Sequence, residues 1–268
     1  MRLAGSPDGP VCCAAMPISV DAIYRYPVKG LSAQKLDHVP VKPGEMLPHD
    51  RAYALALAAT AFDPANPVHM PKTSFLMLMR DEKLAALEAS FEPDTQTLTV
   101  VRNGRRLARG RLDDAMGRAV IEQFFAAYMG DVARGQPRIV AAPNHNFSDV
   151  DAKVLSIVNL ASIKDLGRVT GAPVHPLRFR ANIYLSGAPA WAENAWAGRE
   201  ITIGKVRLSV MKRIQRCAAT HVNPDTAERD MKVVPALQRG FGHADMGIYG
   251  RVLNPGEIAR GDVLSPPA

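Results

Sequence analysis

The stretch from residue 199 to residue 226 reads REITIGKVRLSVM (199–211) followed by KRIQRCAATHVNPDT (212–226). In its first part, β-rich runs lie on either side of Gly204-Lys205, which is typical of two strands joined by a tight turn. We therefore predict strands over residues 199–203 and 206–211. The second part contains Cys217 and ends in a turn signal at Pro224-Asp225.

Further β-rich runs occur on both sides of this stretch. Asn103-Gly104 separates two of them, and this dipeptide between β-rich runs is a strong hairpin signal. The predicted strands cover residues 18–26, 36–42, 51–58, 97–101, 105–109 and 181–186, and residues 247–265 are predicted as strand and turn. Residues 63–73 are rich in Pro and Asn and are predicted as a loop.

The clearest helix is predicted over residues 114–129, with Asp113 as its N-cap and Gly130 at its C-terminal end. Apolar residues recur every four positions on one face of this helix, with two more beside them: Met116, Val120, Phe124 and Tyr128, then Ile121 and Phe125. A shorter helix is predicted over 159–167 and a helical turn over 234–240. Because strands dominate both halves of the chain, we predict an α+β, mostly β fold with curled or barrel-like antiparallel sheets.

The composition restricts the classes of protein to which this chain can belong. It has 268 residues, 47% of them hydrophobic, and a net charge of +7. No apolar run approaches the roughly 20 residues needed to cross a bilayer, so we expect no membrane span. Lys and Arg are scattered rather than clustered, so we expect no nucleic-acid partner.

Three cysteines are present, and two of them, Cys12 and Cys13, are adjacent near the N-terminus. This pattern provides no disulfide framework and predicts a reducing, cytoplasmic environment. Residues 1–16 are interrupted by Gly and Pro, so we predict a disordered extension, with Met16 as an alternative translation start.

Cys217 is the only cysteine within patterned sequence, and Lys212, Arg213 and Arg216 precede it. Cationic neighbours favour the thiolate, which is a nucleophile and a soft metal ligand. The residues alone leave a small, buried and inert cysteine as the alternative. His221, four residues later, leaves open a Cys–His hydrolytic pair, although such a pair is defined by space and not by sequence distance.

Two other segments suggest anion binding. Tyr26-Pro-Val-Lys29-Gly30 places a Lys and a flexible Gly after a strand, where free N–H groups can meet a phosphate. Arg178 and Arg180, at positions i and i+2 entering the strand predicted over 181–186, would share one face and offer forked donors. An ordinary turn and a solvated sheet edge are the respective alternatives.

Taken in order, these segments resemble the MOSC family, which includes the C-terminal domain of molybdenum-cofactor sulfurases and the mitochondrial amidoxime-reducing component. The resemblance covers nearly the whole chain from Ile18 and rests on six segments: Tyr26–Gly30, His49–Tyr53, Phe147–Asp149, Phe179–Ile183, Arg216-Cys217 with Val222–Thr226, and Gly247–Asp262. It implies an N-terminal MOSC β-barrel module over residues 17–140 and a MOSC domain over 141–268. Gly30 and Gln215 depart from the residues that are common in the family.

The resemblance also implies a molybdenum cofactor, Mo-molybdopterin, with the metal held by the thiolate of Cys217. The positions implied to hold the cofactor are Lys29, Arg51, Asn159, Arg180, Asn182, Arg216 and Tyr249. Asp225 is a candidate for proton transfer near the metal, and a purely structural turn role is its alternative. The family also carries a general association with pyridoxal phosphate.

The activity implied by the resemblance is a two-electron reduction of small N-hydroxylated compounds. No iron–sulfur domain is recognisable in the sequence, so electrons would come from a separate flavin or iron–sulfur reductase. The alternative function is a carrier of molybdenum cofactor or of sulfur, in which Cys217 acts without turnover of its own.

Overall fold

The computed structural model describes residues 17–267. The extension predicted over residues 1–16, with Cys12, Cys13 and Met16, lies outside these residues. The helices are α1 (Ala115–Met129), α2 (Leu160–Thr170) and α3 (Val233–Phe241). The strands are β1 (Ser19–Arg25), β2 (Gln34–Leu36), β3 (His38–Val41), β4 (Ala54–Ala56), β5 (Glu88–Glu92), β6 (Thr97–Arg102), β7 (Arg105–Arg111), β8 (Arg138–Val140), β9 (Leu155–Asn159), β10 (Ile183–Ser186), β11 (Glu200–Ile203), β12 (Val206–Gln215), β13 (Asp245–Val252), β14 (Gly256–Ala259) and β15 (Leu264–Ser265).

Eight strands form the largest sheet, in the order β15-β11-β12-β13-β9-β10-β1-β2. Its neighbours are antiparallel except β9 and β10, which are parallel and are connected through α2. Both faces of this sheet are buried, as successive side chains show: Ile157 of β9 joins one apolar cluster, while Val158 joins another that includes residues of α2 and α3. The sheet therefore separates a strand-lined core from a helix-covered core.

A second group of elements lies in the first half of the chain. Strands β5, β6 and β7 form a three-stranded sheet, β4 pairs with β8, and α1 packs on β7. The close approach of α1 to β7 requires glycine, because a Cβ at Gly117 would lie 2.2 Å from the carbonyl oxygen of Arg111. The hairpin predicted around Asn103-Gly104 is confirmed as β6 and β7.

Helix α1 confirms the predicted helix with two differences. Asp114, and not Asp113, is the N-cap, because its carboxylate accepts a hydrogen bond from the Gly117 N–H at 2.7 Å. The buried stripe of α1 consists of Gly117, Ile121, Phe125 and Met129, whereas Met116 is 80% exposed. Sequence periodicity was unable to separate these faces, since apolar residues occupy two adjacent stripes of the helix.

The predicted fold class is confirmed, because strand makes up 31% and helix 24% of the structure. Strands from both sides of the predicted division at residues 140 and 141 pair with each other: β1 pairs with β10 in the largest sheet, and β3 pairs with β14 in a separate two-stranded sheet. The division itself stays a prediction. No helix within residues 17–267 is long and apolar enough to cross a membrane.

The prediction of a strand entered by Arg178 and Arg180 is wrong in one respect. Residues Pro176–Phe179 form a 3₁₀ helix, and Arg180 has a left-handed backbone with φ of 49°, so β10 begins only at Ile183. The two arginines therefore do not share the face of a strand. Pro176 favours this helical turn, because its ring fixes φ at the first helical position.

Candidate functional site

A cleft of about 450 Å³ collects most of the predicted site residues. It lies where the loop after β1, the loop before β4, the 3₁₀ turn before β10 and the end of β12 meet. Seven of the nine predicted residues line it: Lys29, Arg51, Arg180, Asn182, Arg216, Cys217 and Tyr249. These residues are scattered from position 29 to position 249, so only the tertiary fold brings them together.

Lys29 is buried at the wall of the cleft. Its Nζ donates to the carbonyl oxygen of Phe147 at 2.9 Å and to Oδ1 of Asp149 at 2.5 Å. Burial lowers the pKa of Lys29, and the neighbouring Asp149 carboxylate opposes that shift. Lys29 thus ties the loop after β1 to the segment that precedes β9.

Arg51 and Arg180 enclose the ring of Tyr26. Their guanidinium carbons lie 4.8 and 4.3 Å from the ring centroid, within the range of cation–π attraction. Arg51 pairs with the buried carboxylate of Asp50 and donates from Nη2 to the Arg180 carbonyl at 2.9 Å. Both arginines have a positive φ, 50° for Arg51 and 49° for Arg180, which is uncommon for residues with a side chain.

The guanidinium of Arg180 has no hydrogen-bond acceptor among residues 17–267, although it lies in the wall of the cleft. Burial lowers its pKa to about 10, the Tyr26 hydroxyl opposes the shift, and Arg51 adds to it. Its five N–H donors are therefore available to an anion.

Arg216 uses its donors on main-chain oxygens. Nε and Nη2 donate to the Met246 carbonyl at 2.8 and 2.6 Å, and Nη1 donates to the Phe179 carbonyl at 2.8 Å. The Met246 carbonyl is presented at an irregularity of β13, where Gly247 has φ of 79° and a Cβ would lie 2.3 Å from the Ile157 carbonyl oxygen. Arg216 fixes the strand end next to Cys217 while its charge stays in the cleft.

Asn182 and Tyr249 complete the predicted set in the cleft. The Oδ1 of Asn182 accepts from Ser156 N at 3.1 Å and Ser156 Oγ at 2.8 Å, and its Nδ2 donates to the Tyr24 carbonyl at 3.2 Å. Asn182 therefore joins β1, β9 and the start of β10. Burial raises the pKa of Tyr249, so its hydroxyl keeps its proton at neutral pH.

Cys217 lies two residues after the end of β12 and is a free, half-buried cysteine that lines the cleft. Its carbonyl accepts from the Thr220 N–H at 3.1 Å and the Thr220 hydroxyl at 2.9 Å, which fixes the turn after it. Burial lowers the pKa of Lys72, but the nearby Cys217 thiolate and then Asp149 outweigh burial and raise it. Lys72 and Cys217 therefore face each other in the cleft.

The electrostatic balance of the cleft is one-sided. Among the described residues it is lined by eight cationic side chains and by one carboxylate, that of Asp149: Lys29, Arg51, Lys72, Arg178, Arg180, Lys212, Arg213 and Arg216. Charges that line a partly enclosed cleft reinforce one another and attract an anion. Together with a thiol, the arrangement can bind an anionic group and offer it a soft sulfur ligand.

Lys72 and Asp149 have parts in this site that the sequence reasoning did not assign. Lys72 lies in the 3₁₀ turn Lys72–Ser74, at the end of the Pro-rich loop predicted over residues 63–73. An aromatic cluster of Phe62, Phe75 and Phe147 holds this loop, with ring centroids 5.2 and 5.3 Å apart. No periodic pattern of the loop indicates Lys72, whereas Asp149 belongs to a segment that carried the family resemblance.

Two predicted site residues lie elsewhere. Asn159 is buried, and its Oδ1 accepts from the Ala161 N–H at 3.0 Å as the N-cap of α2, while its Nδ2 donates to the Pro189 carbonyl at 2.7 Å. Asp225 is exposed, lies 3.7 Å from His175 and lines a smaller neighbouring pocket. Neither side chain lines the cleft.

His221 does not line the cleft with Cys217. Its Nε2 accepts from the Val234 N–H at 3.4 Å, so the ring faces the start of α3. Burial lowers the pKa of His221, and the charges of Arg229 and Arg178 add to this effect. This arrangement offers no support for the Cys–His hydrolytic pair that the sequence left open.

Comparison with known proteins gives similarities for parts of this chain. Residues 144–265 match the family described as the MOSC domain. Mitochondrial amidoxime-reducing component 1 of Mus musculus is 30% identical over 150 residues, which make up 52% of this chain and 44% of the mouse protein. This chain therefore spans less than half of the length of that relative.

Two further similarities were found. The molybdenum cofactor sulfurase of Homo sapiens is 35% identical over 92 residues, or 34% of this chain and 9% of the human protein. The crystal structure of the YUAD protein from Bacillus subtilis covers 93% of this chain and 94% of its own, with a TM-score of 0.44 and 14% identity.

Proposed function

We propose that this protein, whose residues 144–265 match the family described as the MOSC domain, binds a molybdenum cofactor through Cys217 and reduces small N-hydroxylated compounds. The observation that carries the proposal is the position of a free thiol in a cleft with eight cationic side chains and one carboxylate. The similarity to an amidoxime-reducing component supports the reaction class.

The residues of the cleft fit such a cofactor in two ways. A thiolate is a soft ligand of the kind that binds transition metals, and Cys217 presents one sulfur to the cleft. The unpartnered guanidinium of Arg180 is a forked donor for a phosphate, and the buried ammonium of Lys29 adds charge beside it. In this proposal Cys217 holds the metal, and the other residues hold the pterin and its phosphate: Lys29, Arg51, Arg180, Asn182, Arg216 and Tyr249.

The cofactor would supply a metal that changes oxidation state by two electrons. The chain's own residues prepare the place for it. Lys72 places an ammonium beside the sulfur of Cys217, and the Tyr249 hydroxyl keeps a proton that it can donate inside the cleft. The positive lining attracts electron-rich groups, such as the oxygen of an N-hydroxyl group.

The electrons would come from a separate donor, a flavin or iron–sulfur reductase. The surface between the donor and the cleft would include Lys212 and Arg213, which are exposed and also line the cleft. We further propose a cytoplasmic location, on the basis of the sequence reasoning about cysteines.

The test is the molybdenum and pterin content of protein purified from a host that makes the cofactor. Wild type, Cys217→Ala and Cys13→Ala are compared by mass spectrometry, with Cys13→Ala as the matched cysteine control. We expect near-stoichiometric molybdenum and pterin in wild type and in the control, and loss of molybdenum in Cys217→Ala. Wild type that contains neither metal nor pterin would exclude the proposal.

A second function is favoured by the similarity to a molybdenum cofactor sulfurase. In that case Cys217 would carry the cofactor or a sulfur atom to another protein. The discriminating measurement is whether the metal-loaded protein oxidises a reduced electron donor when benzamidoxime is added. Turnover supports the reductase, whereas full loading without turnover supports the carrier.

A further inference from the structure

Helix α1 presents an uncharged face to solvent. The helix has only two charged residues, and both are used inside the protein: Arg118 donates from Nη1 to the Leu112 carbonyl at 3.0 Å, and Glu122 accepts from the Ile139 N–H at 2.7 Å. A surface helix of a soluble protein ordinarily turns charged side chains to water. The exposed residues of α1 all lack charge: Ala115, Met116, Val120, Gln123 and Ala127.

Four of these residues form a stripe along the helix, called here the α1 seam: Met116, Val120, Gln123 and Ala127. They follow one another at intervals of four, three and four residues, which is the spacing of the contact between two helices of a coiled coil. The spacing is the same in both directions of the chain. Two antiparallel copies of α1 can therefore pack with Met116 beside the partner's Ala127 and Val120 beside the partner's Gln123, so that the largest side chain meets the smallest.

The C-terminal end of the α1 seam is cationic. Tyr128 lies in the last turn of α1, and the guanidinium carbon of Arg102 lies 5.8 Å from the centroid of its ring. Arg105 pairs with Arg102 across the β6–β7 hairpin, and Arg106 follows it. Among residues 17–267, none of these three exposed arginines forms an ion pair. The tip of the hairpin thus places three cations beside one end of the seam.

The other end of the α1 seam carries carboxylates. Asp113 and Asp114 precede the helix and share Arg111, at 2.7 and 3.8 Å, as their only ion-pair partner within residues 17–267. Two parallel copies of α1 would bring the two cationic hairpin tips together, and like charges repel. Two antiparallel copies keep the tips at opposite ends and place each tip beside the partner's carboxylates. The charges therefore favour the same antiparallel arrangement as the spacing.

We propose that the α1 seam is the interface through which two copies of this chain form an antiparallel dimer with two-fold symmetry. In such a dimer every contact occurs twice, so each substitution in the seam acts twice. A membrane is a poorer occupant, because helices that enter a membrane surface carry large apolar and aromatic side chains, and Gln123 and Ala127 have little to insert. No residue of α1 lines the cleft, so the inference is independent of the proposed function.

The experiment is sedimentation equilibrium of the full chain at neutral pH. An interface built on one helix is small, so we expect a dissociation constant in the micromolar range, and protein concentrations run from about 1 to about 200 µM. The variant is Val120→Glu, and Val263→Glu is its matched control, because Val120 is 42% and Val263 is 51% exposed and Val263 lies outside α1. Circular dichroism of each variant shows whether its helices are retained.

We expect Val120→Glu to raise the dimer dissociation constant about 100-fold, because each copy then brings an unpaired carboxylate into the interface. Val263→Glu should keep the wild-type value. Wild type that is monomeric at every concentration would overturn the dimer. Equal dissociation constants in wild type and Val120→Glu, or equal weakening by both variants, would also overturn it. Monomeric wild type that sediments with phosphatidylglycerol vesicles would assign this face to a membrane instead of a second copy.

A charge reversal tests the antiparallel arrangement. Arg105→Glu turns one cation of the hairpin tip into a carboxylate that would face the partner's Asp113 and Asp114, so we expect the dissociation constant to rise about threefold at low salt. Arg251→Glu, at an exposed arginine of β13, is the control and should leave it unchanged. Tighter dimerisation of Arg105→Glu would overturn the antiparallel arrangement, because it would mean that the two tips face each other.

Discussion

Two arginines of the β6–β7 hairpin, Arg109 and Arg111, and two arginines of the cleft, Arg180 and Arg216, have the same side chain in opposite surroundings. On the hairpin, Arg111 is exposed and donates to both carboxylate oxygens of Asp113 at 3.0 and 2.7 Å, and Arg109 lies 3.5 Å from Glu92. In the cleft, Arg216 binds only carbonyl oxygens and Arg180 has no acceptor within residues 17–267. An exposed arginine paired with a carboxylate belongs to the protein's own surface, whereas a buried arginine left without one is available to a ligand.

The largest expected effect is on stability. Arg178→Met removes the hydrogen bonds of a buried cation to Asp230 and to the His221 carbonyl, and hydrogen bonds of charged groups contribute about 1.5–3 kcal/mol each. We therefore expect a loss of about 3 kcal/mol in the free energy of unfolding. Arg111→Met removes an exposed ion pair that solvent screens, so it should cost much less unfolding free energy. Urea unfolding of both variants measures the difference. Equal losses of unfolding free energy in the two variants would contradict the difference between the buried and the exposed arginine.

The next effect concerns cofactor binding. Arg180→Met removes charged hydrogen bonds worth about 1.5–3 kcal/mol, so the affinity for the pterin phosphate should fall about 10- to 100-fold. Arg105→Met, on the exposed hairpin, serves as the control and should leave pterin content unchanged. Pterin per protein after extensive dialysis is the measurement. Normal retention by Arg180→Met would show that this guanidinium does not hold the cofactor.

Unfolding at a series of pH values makes the same comparison, of a buried ion pair with an exposed one, for carboxylates. Burial would raise the pKa of Asp149, but Lys29 and Lys72 outweigh it and hold the pKa below the usual 3.8. Because the folded-state pKa is depressed, Asp149 stabilises the fold above the unfolded pKa, and this contribution is lost as pH falls through the folded value.

We therefore expect wild type to lose more unfolding free energy than Asp149→Asn between pH 6 and pH 3. Asp113→Asn is the control, because the pKa of Asp113 is also lowered by an arginine, Arg111, but at an exposed position where solvent screens the pair. Urea unfolding at each pH gives the values. A pH dependence in Asp149→Asn as steep as that of wild type would contradict the ion pair with Lys29.

The smallest expected effect concerns the exposed aspartates at the start of α1. Asp114→Ala removes the N-cap hydrogen bond to Gly117 and should cost about 1 kcal/mol. Asp113→Ala removes only an exposed ion pair, so the loss of stability should be clearly smaller than that of Asp114→Ala. Thermal unfolding of the two variants decides which aspartate caps the helix.

Elements with local signals were predictable from the sequence. The Asn103-Gly104 hairpin, α1 and the strand pair around Gly204-Lys205 all appear where they were predicted, because turn chemistry and periodicity act over a few residues. The buried face of α1 was not predictable, since its position depends on how Gly110 and Gly117 bring β7 against the helix.

The composition of the site was predictable only in part. Seven predicted residues meet in the cleft. The sequence singled out Lys29, Arg180 and Cys217 through their own chemistry and the other four through a family resemblance. Lys72 was not found, because its place beside Cys217 depends on the packing of Phe62 and Phe75 against Phe147, which no local pattern encodes. Asn159 has the polarity of a binding residue, yet its groups are used by the cap of α2.

The sequence by itself determined the β-rich character of the chain and its main hairpins and helices, and it singled out Cys217 as a candidate metal ligand. These follow from chemistry that acts between near neighbours in the chain. Only the tertiary structure decided which arginines keep a free guanidinium, that Lys72 lies beside the thiol, and that Asp225 lines a separate apolar pocket. The reason is physical: charge, burial and hydrogen-bond partners are set by residues that are distant in sequence and meet only when the sheet closes its core.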